Sequence, residues 1–236
     1  MNSITKPRIL VFASGTKTGG GSGFETMVRA MRSIPPKLEA DIVGVVSNHE
    51  HGGVRGYADE FTTPFEYWPG PYTAEDYQRF AKKYNADFFM LSGWLKLAAG
   101  LDPARTINIH PGPLPRFGGP NMYGHRVHEA VLAAYRRGEI THSAVIMHFV
   151  DEVYDRGPII FVRQVPICSG DTPETLARRV NDEEHKVQSL VLNHVVQWHV
   201  RLEGGKVIYA TRDLRGMMIP AELKDEYHVV AGARDN

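Results

Sequence analysis

The sequence predicts an α/β fold: a mostly parallel, twisted sheet with helices on both faces and an antiparallel portion toward the C-terminus. Three observations carry this expectation. Short apolar runs rich in β-formers, at Arg8 to Ser14, Asp41 to Ser47 and Ala86 to Gly93, are separated by segments of helical spacing. Such runs are the mark of strands buried on both faces, as in parallel sheets. The first run passes directly into a glycine-rich loop and then a helix, the order found at the ligand end of open α/β sheets. Two later strands, Thr141 to Val150 and Pro158 to Val165, are joined by only a short acidic turn, which predicts a hairpin and hence a mixed sheet.

Arg8 to Ser14 is expected to be a buried, central, parallel strand. Gly15, Thr16 and the glycines through Gly23 follow, and a helix begins at Phe24 with Phe24, Met27, Val28 and Met31 on one face. Glycine lets backbone N–H groups converge, and the helix N-terminus adds positive potential, so this is a candidate anion site. Neither the dinucleotide fingerprint nor the Walker pattern fits, and a flexible surface loop is the plainer alternative. After the second strand, His49 and His51 flank Glu50. Zinc needs three or four ligands, and with none beside them these histidines are read as loop residues.

A short helix over Val54 to Phe61, a strand over Phe65 to Trp68 and a helix capped by Thr73, with Asp76 reciprocal, come next. Beyond the strand Phe88 to Leu91 lies Gly93 to Leu97, an apolar loop that either lines a pocket or, at Trp94 and Leu95, joins the core. The chain then reaches its centre. Thr106 to Ile109 reads as a strand stub, and residues two apart on a strand share a face. Asn108 and His110 should therefore sit together at a strand end, where Pro111, Pro113 and Pro115 stop the ladder and stiffen the loop. A polar strand end with a proline turn is the alternative.

Met122 to Tyr135 is expected to be helical, with His125 and His128 on one face, structural or substrate-facing. Asp171-Thr172-Pro173-Glu174 is a helix start with cap, proline and acid in the first turn, and that helix runs toward Val200. Gly204-Gly205 turns into a last strand, Lys206 to Ala210. The polar stretch 211–236 has few apolar anchors and receives no assigned structure. Cys168, the single cysteine, has no base beside it, so a catalytic role is not expected.

Composition bounds the rest. The 236 residues carry a formal net charge of +0, which offers no electrostatic footprint for nucleic acid or an anionic membrane. One cysteine excludes an intrachain disulfide, which fits a reducing compartment. No apolar run reaches spanning length, and the N-terminus lacks a secretory pattern. The expectation is a single cytoplasmic domain over 1–236, with its core at about 7–210, acting as a monomer or homodimer.

Several motifs then converge. Asn108-Ile-His110-Pro111 with Leu114-Pro115, His148-Phe-Val, Asp155-Arg-Gly157-Pro158, Gly170-Asp171-Thr172 and Glu184-His185 resemble, in order and spacing, the phosphoribosylglycinamide formyltransferase family. The resemblance covers roughly Arg8 to Tyr209. It implies a Rossmann-like fold and transfer of a formyl group from 10-formyltetrahydrofolate to the amine of glycinamide ribonucleotide in purine synthesis, with no metal. It implies a catalytic trio of Asn108, His110 and Asp155. It places the acceptor's phosphate at Gly21, Ser22 and Gly23, with Gly15 and Thr16 in the same loop, and a ribose contact at Glu184. It places the folate at Trp94, Leu95, Lys96, Leu97 and Ala98. Three features depart from the family pattern. The phosphate loop is longer, with Gly23 replacing an asparagine. The segment Gly118 to Gly124 replaces a shorter Pro-Gly turn. An arginine that the family places before the helix near Tyr77 has no counterpart. The alternatives are another folate-dependent formyltransferase, a formyltetrahydrofolate hydrolase, or a non-catalytic nucleotide-binding module that would need the loop but not the trio.

The chemistry stands independently of the resemblance. An amine attacking a formyl carbon makes a tetrahedral oxyanion, to which an amide and an imidazole can donate. A nearby carboxylate can support a protonated imidazole and help move the amine's proton.

Overall fold

A computed structural model describes residues 5–223. Seven strands form one sheet in the order β3-β2-β1-β4-β5-β6-β7. They are β1 (Arg8–Phe12), β2 (Asp41–Ser47), β3 (Phe65–Tyr67), β4 (Phe88–Ser92), β5 (Thr106–His110), β6 (His142–Phe149) and β7 (Ile159–Pro166). Pairings from β3 through β5 are parallel, and β5-β6 and β6-β7 are antiparallel. The mixed sheet is the one expected. β1 is central, and the chain leaves it first to one side, through β2 and β3, and then to the other, through β4 and β5. The carboxyl ends of β1 and β4 therefore flank the switch point where open α/β sheets bind ligands.

Alternation along the strands builds two layers. On one face Ile9, Val11, Met90, Ile107, Ile109 and Met147 pack under helices α1 (Ser22–Arg32), α2 (Gly53–Glu60), α4 (His125–Arg136) and α5 (Pro173–Val196). On the other, Leu10, Phe12, Val46, Phe89 and Leu91 pack under α3 (Ala74–Tyr84) through Tyr77 and Phe80. α3 starts as its sequence dictates: the Thr73 hydroxyl accepts from the Asp76 amide at 3.2 Å. α5 is opened by Thr172, whose side chain and that of Thr175 cap each other's backbone, with proline in the first turn.

Three helix boundaries differ from expectation. α1 begins at Ser22, two residues early, because left-handed Gly21 (φ 87°) turns the loop into the helix there. α4 begins at His125 and not Met122: Asn121 (φ 69°) and Gly124 (φ 55°) hold the preceding segment out of helical geometry. α5 stops at Val196, since Trp198 turns left-handed (φ 60°), and a strand β8 (Val200–Glu203) pairs antiparallel with β9 (Lys206–Tyr209). The stretch after 210 is not featureless. α6 (Arg212–Met218) is capped by Thr211 and buries Leu214 and Met218. A 3-10 turn (Ala221–Leu223) sets Leu223 against Ala144, Ile146, Ile159 and Val162 on the open face of the antiparallel strands. The rest of the expected polar tail, 224–236, lies outside the described residues.

Candidate active site

The loops after β1, β4 and β5 and the β6-β7 turn surround a cleft of about 890 Å³. Every residue to which the resemblance gives a role lines it: Gly15, Thr16, Gly21, Ser22, Gly23, Trp94 to Ala98, Asn108, His110, Asp155 and Glu184. A volume of that size suits small-molecule recognition.

Asn108 and His110 sit on β5 with side chains on the same face, as the two-residue period requires. The turn after β6 carries Asp155 across to them. Asp155 adopts a left-handed backbone (φ 54°), a conformation that aspartate tolerates better than most residues. Its Oδ1 lies 3.6 Å from His110 Nδ1 and accepts from Asn108 Nδ2 at 3.4 Å. Two of the three are nearly sealed, with side-chain exposures of 5% at His110 and 11% at Asp155, and Asn108 is partly buried.

Two neighbours orient them. The His110 Nε2–H donates to the Phe117 carbonyl at 2.7 Å. In the neutral ring, Nδ1 is then left as a lone pair toward Asp155. His148, buried on β6, donates from Nδ1 to the Phe149 carbonyl at 2.7 Å, so its Nε2 can accept from Asn108 Nδ2 at 3.1 Å. The Asn108 amide thus bridges a ring nitrogen and a carboxylate, which fixes its orientation, because a flipped oxygen would face two acceptors. Its longer bond, to Asp155, is the weaker one and the more easily exchanged for a substrate oxygen. Sequence reasoning left His148 out of the site. Its pairing opposite Asn108 in the β5-β6 ladder follows from a register that the sequence did not fix.

Burial lowers the His110 pKa against the attraction of Asp155. Burial alone would raise the Asp155 pKa. The contacts with His148 and His110 and the Gly119 amide outweigh it and hold the carboxyl below the usual range. The resting pair is therefore a carboxylate beside a neutral imidazole. His128, also in the cleft wall, is pushed down to about 4 by burial, with His125 and His110 adding to the shift. It is a neutral wall residue.

At the other end of the cleft, the Thr16 hydroxyl accepts from the Gly19 amide at 2.9 Å, and the Thr16 amide donates to the Gly19 carbonyl at 2.8 Å. This closes the long loop on itself. Gly21 is required by φ 87° and by the α2 backbone, since a Cβ there would meet Val54 N at 2.9 Å. Ser22 and Gly23 open α1, so their amides are among the free donors at a helix start. Ser22 Oγ also contacts His185 Nε2 at 3.0 Å. Glu184, partly buried on α5, is pushed up to about 7 by burial against the hydrogen bond from Asn181.

The loop after β4 divides by role. Trp94 belongs to the core: it packs on Phe12 and Trp68, and its indole N–H donates to the Tyr77 hydroxyl at 2.8 Å. Leu95 is 41% exposed at the cleft, and Leu97 beside it is half-buried. Lys96 Nζ stands 5.1 Å over the Tyr72 ring. Leu95 and Leu97 with Ala98 make an apolar wall suited to a flat aromatic ring system. Among the described residues, no group of three or more His, Cys, Asp or Glu side chains is placed to hold a metal.

Residues 7–192 match the formyl transferase family. The chain is 34% identical over 210 residues to the phosphoribosylglycinamide formyltransferase, chloroplastic, of Arabidopsis thaliana, covering 83% of this chain and 68% of that protein. It is 35% identical over 202 residues to the protein of the same name from Vigna unguiculata, covering 78% and 59%. The crystal structure of phosphoribosylglycinamide formyltransferase from Anaplasma phagocytophilum superposes with a TM-score of 0.71 at 26% identity, over 89% of this chain and 97% of that one. The strand order and these matches together place the chain in the formyl transferase family.

Proposed function

We propose that the protein transfers the formyl group of 10-formyltetrahydrofolate to the amine of glycinamide ribonucleotide, the formyl-transfer step of purine synthesis. The observation that carries this is the Asn108–His110–Asp155 cluster in one cleft with a glycine loop at a helix start and an apolar wall. The glycine loop suits a phosphorylated ribose and the apolar wall a pterin, so both substrates would share the cleft that the trio lines. A nucleotide-binding module would not need the trio.

The ribonucleotide's phosphate accepts from the amides that open α1, and ionised Glu184 accepts from the ribose hydroxyls. Leu95, Leu97 and Ala98 hold the pterin, and the bound folate supplies a formyl carbon attached to nitrogen. As the amine's nitrogen bonds to that carbon, the carbonyl electron pair moves onto oxygen. Asn108 Nδ2 donates to this oxyanion, joined by the Nδ1–H that His110 carries once it has taken up a proton. Asp155 passes the attacking amine's proton, directly or through water, to Nδ1 of the neutral His110 and supports the imidazolium so formed. The pair returns that proton to the departing nitrogen as the oxyanion collapses, so no net proton is lost. No covalent intermediate on the protein is needed.

The test is direct. Purified protein with 10-formyltetrahydrofolate should formylate glycinamide ribonucleotide, with loss of substrate matched by formylated product. Release of formate at the same rate without ribonucleotide would identify a hydrolase instead.

A further inference from the structure

Phe117, with Gly118 and Gly119 at the start of the stretch that departs from the family pattern, contacts both members of the acid–base pair through backbone groups. The Phe117 carbonyl accepts from His110 Nε2 at 2.7 Å. Two residues on, the Gly119 amide donates to Asp155 Oδ2 at 2.9 Å. The segment is itself anchored. The Phe117 ring is buried in the main core, and its amide donates to the Pro113 carbonyl at 3.0 Å.

Gly118 lies between the two contacts. A Cβ there would stand 2.4 Å from Leu114 Cδ2 and 2.8 Å from Asp155 Cβ. The leucine methyl can rotate away. The Asp155 Cβ moves only with its turn, and that turn is pressed against β6: a Cβ on Gly157 would lie 1.8 Å from the Phe149 carbonyl oxygen.

We propose that Phe117–Gly119 is a positioning strap that fixes the tautomer of His110 and the carboxylate rotamer of Asp155, with Gly118 setting their separation by having no side chain. With Nε2–H tied to a carbonyl, Nδ1 is the atom left to exchange a proton in the cleft. With Oδ2 tied to an amide, Oδ1 is the oxygen turned toward His110 and Asn108. The kinetic consequence rests on the formyl-transfer reading, whereas the tautomer and the coupling do not.

The experiment pairs kinetics of Gly118→Ala with nitrogen-15 NMR of the imidazoles in the ligand-free protein. Displacing Asp155 by the ångström or so that a methyl needs should lower kcat by about 10²-fold, with both KM values nearly unchanged. In an Asp155→Asn background the same substitution should have little further effect, because its action runs through that carboxylate. In the NMR spectrum, His110 of the unaltered protein should carry its proton on Nε2 when neutral. Its titration should move to lower pH in Gly118→Ala as the attraction of Asp155 weakens. His110 found with its proton on Nδ1, or a folded Gly118→Ala protein with unaltered kcat and His110 titration, would overturn the strap. If the unaltered protein fails to formylate the ribonucleotide, the formyl-transfer reading fails, and the imidazole spectra still decide the strap.

Discussion

Replacing Gly21 with alanine probes the anion end of the cleft. Gly21 sits at φ 87°, where a side chain costs about 1–2 kcal/mol. Its Cβ would also meet the backbone nitrogen of Val54 at 2.9 Å and the Cα at 3.0 Å. These are backbone atoms at the start of α2, so neither can swing aside, and the loop must shift away from α2. The shift carries the first amides of α1 with it. Each hydrogen bond lost to a charged phosphate is worth about 1.5–3 kcal/mol, or about 10- to 150-fold in affinity. Calorimetric titration should show ribonucleotide binding weakened in that range and folate binding affected less, because the Cβ clash is with α2 and not with the Leu95 to Ala98 loop. Thermal unfolding run alongside establishes that the variant is folded. A folded Gly21→Ala protein that binds the ribonucleotide as tightly as the parent would refute the phosphate role of this loop.

Leu97→Asp should weaken folate binding and spare the ribonucleotide; equal loss of both, measured by titration, would make Leu97 a core residue. Glu184 supplies a pH test. With its carboxyl raised to about 7, the folded state holds a proton that the unfolded chain releases near the ordinary glutamate value. Ligand-free stability should therefore fall as pH rises between about 4.5 and 7, and Glu184→Gln should flatten that slope in denaturant titrations. Ribonucleotide binding near pH 6–7 should release a proton, seen as buffer-dependent binding heats that vanish in Glu184→Gln. Asp171 works the opposite way. Arg179 holds its carboxyl well below the usual range, helped by the Cys168 amide and the Thr175 hydroxyl. The stability it contributes is present above the unfolded aspartate value and lost as pH falls through the folded one. Asp171→Ala should cost about 1–3 kcal/mol at neutral pH, measured by urea unfolding, and progressively less in acid.

The placement of Asn108 and His110 was legible from a two-residue period and three prolines, because strand geometry is local. The sheet's mixed character was legible from the short link between β6 and β7. Asp155's arrival beside them was implied only by the resemblance, since it depends on the β5-β6 register and a left-handed backbone at one non-glycine residue. The contacts that orient the trio were hidden for a different reason. The Phe117 carbonyl and the Gly119 amide are backbone groups, and no residue type announces them. β8 was absorbed into the preceding helix because nothing in the identity of Trp198 marks it as left-handed. α6 was missed because Leu214 and Met218 are only two anchors in a short, charged segment. The resemblance supplied roles for Trp94 to Ala98 as a block; in the structure Trp94 and Ala98 are buried in the core cluster at the cleft wall, while Leu95 is exposed and Leu97 half-buried.

The central claim is that His110 acts in the transition state and not in holding substrates. Steady-state formyl transfer by His110→Ala tests it, with thermal unfolding as the check on folding and Asp155→Asn and the double variant alongside. Loss of one donor to the oxyanion should lower kcat by about 10²–10³-fold with both KM values close to the parent's, and the double variant should be little worse than His110→Ala alone. A folded His110→Ala protein turning over near the parent's rate would contradict the account.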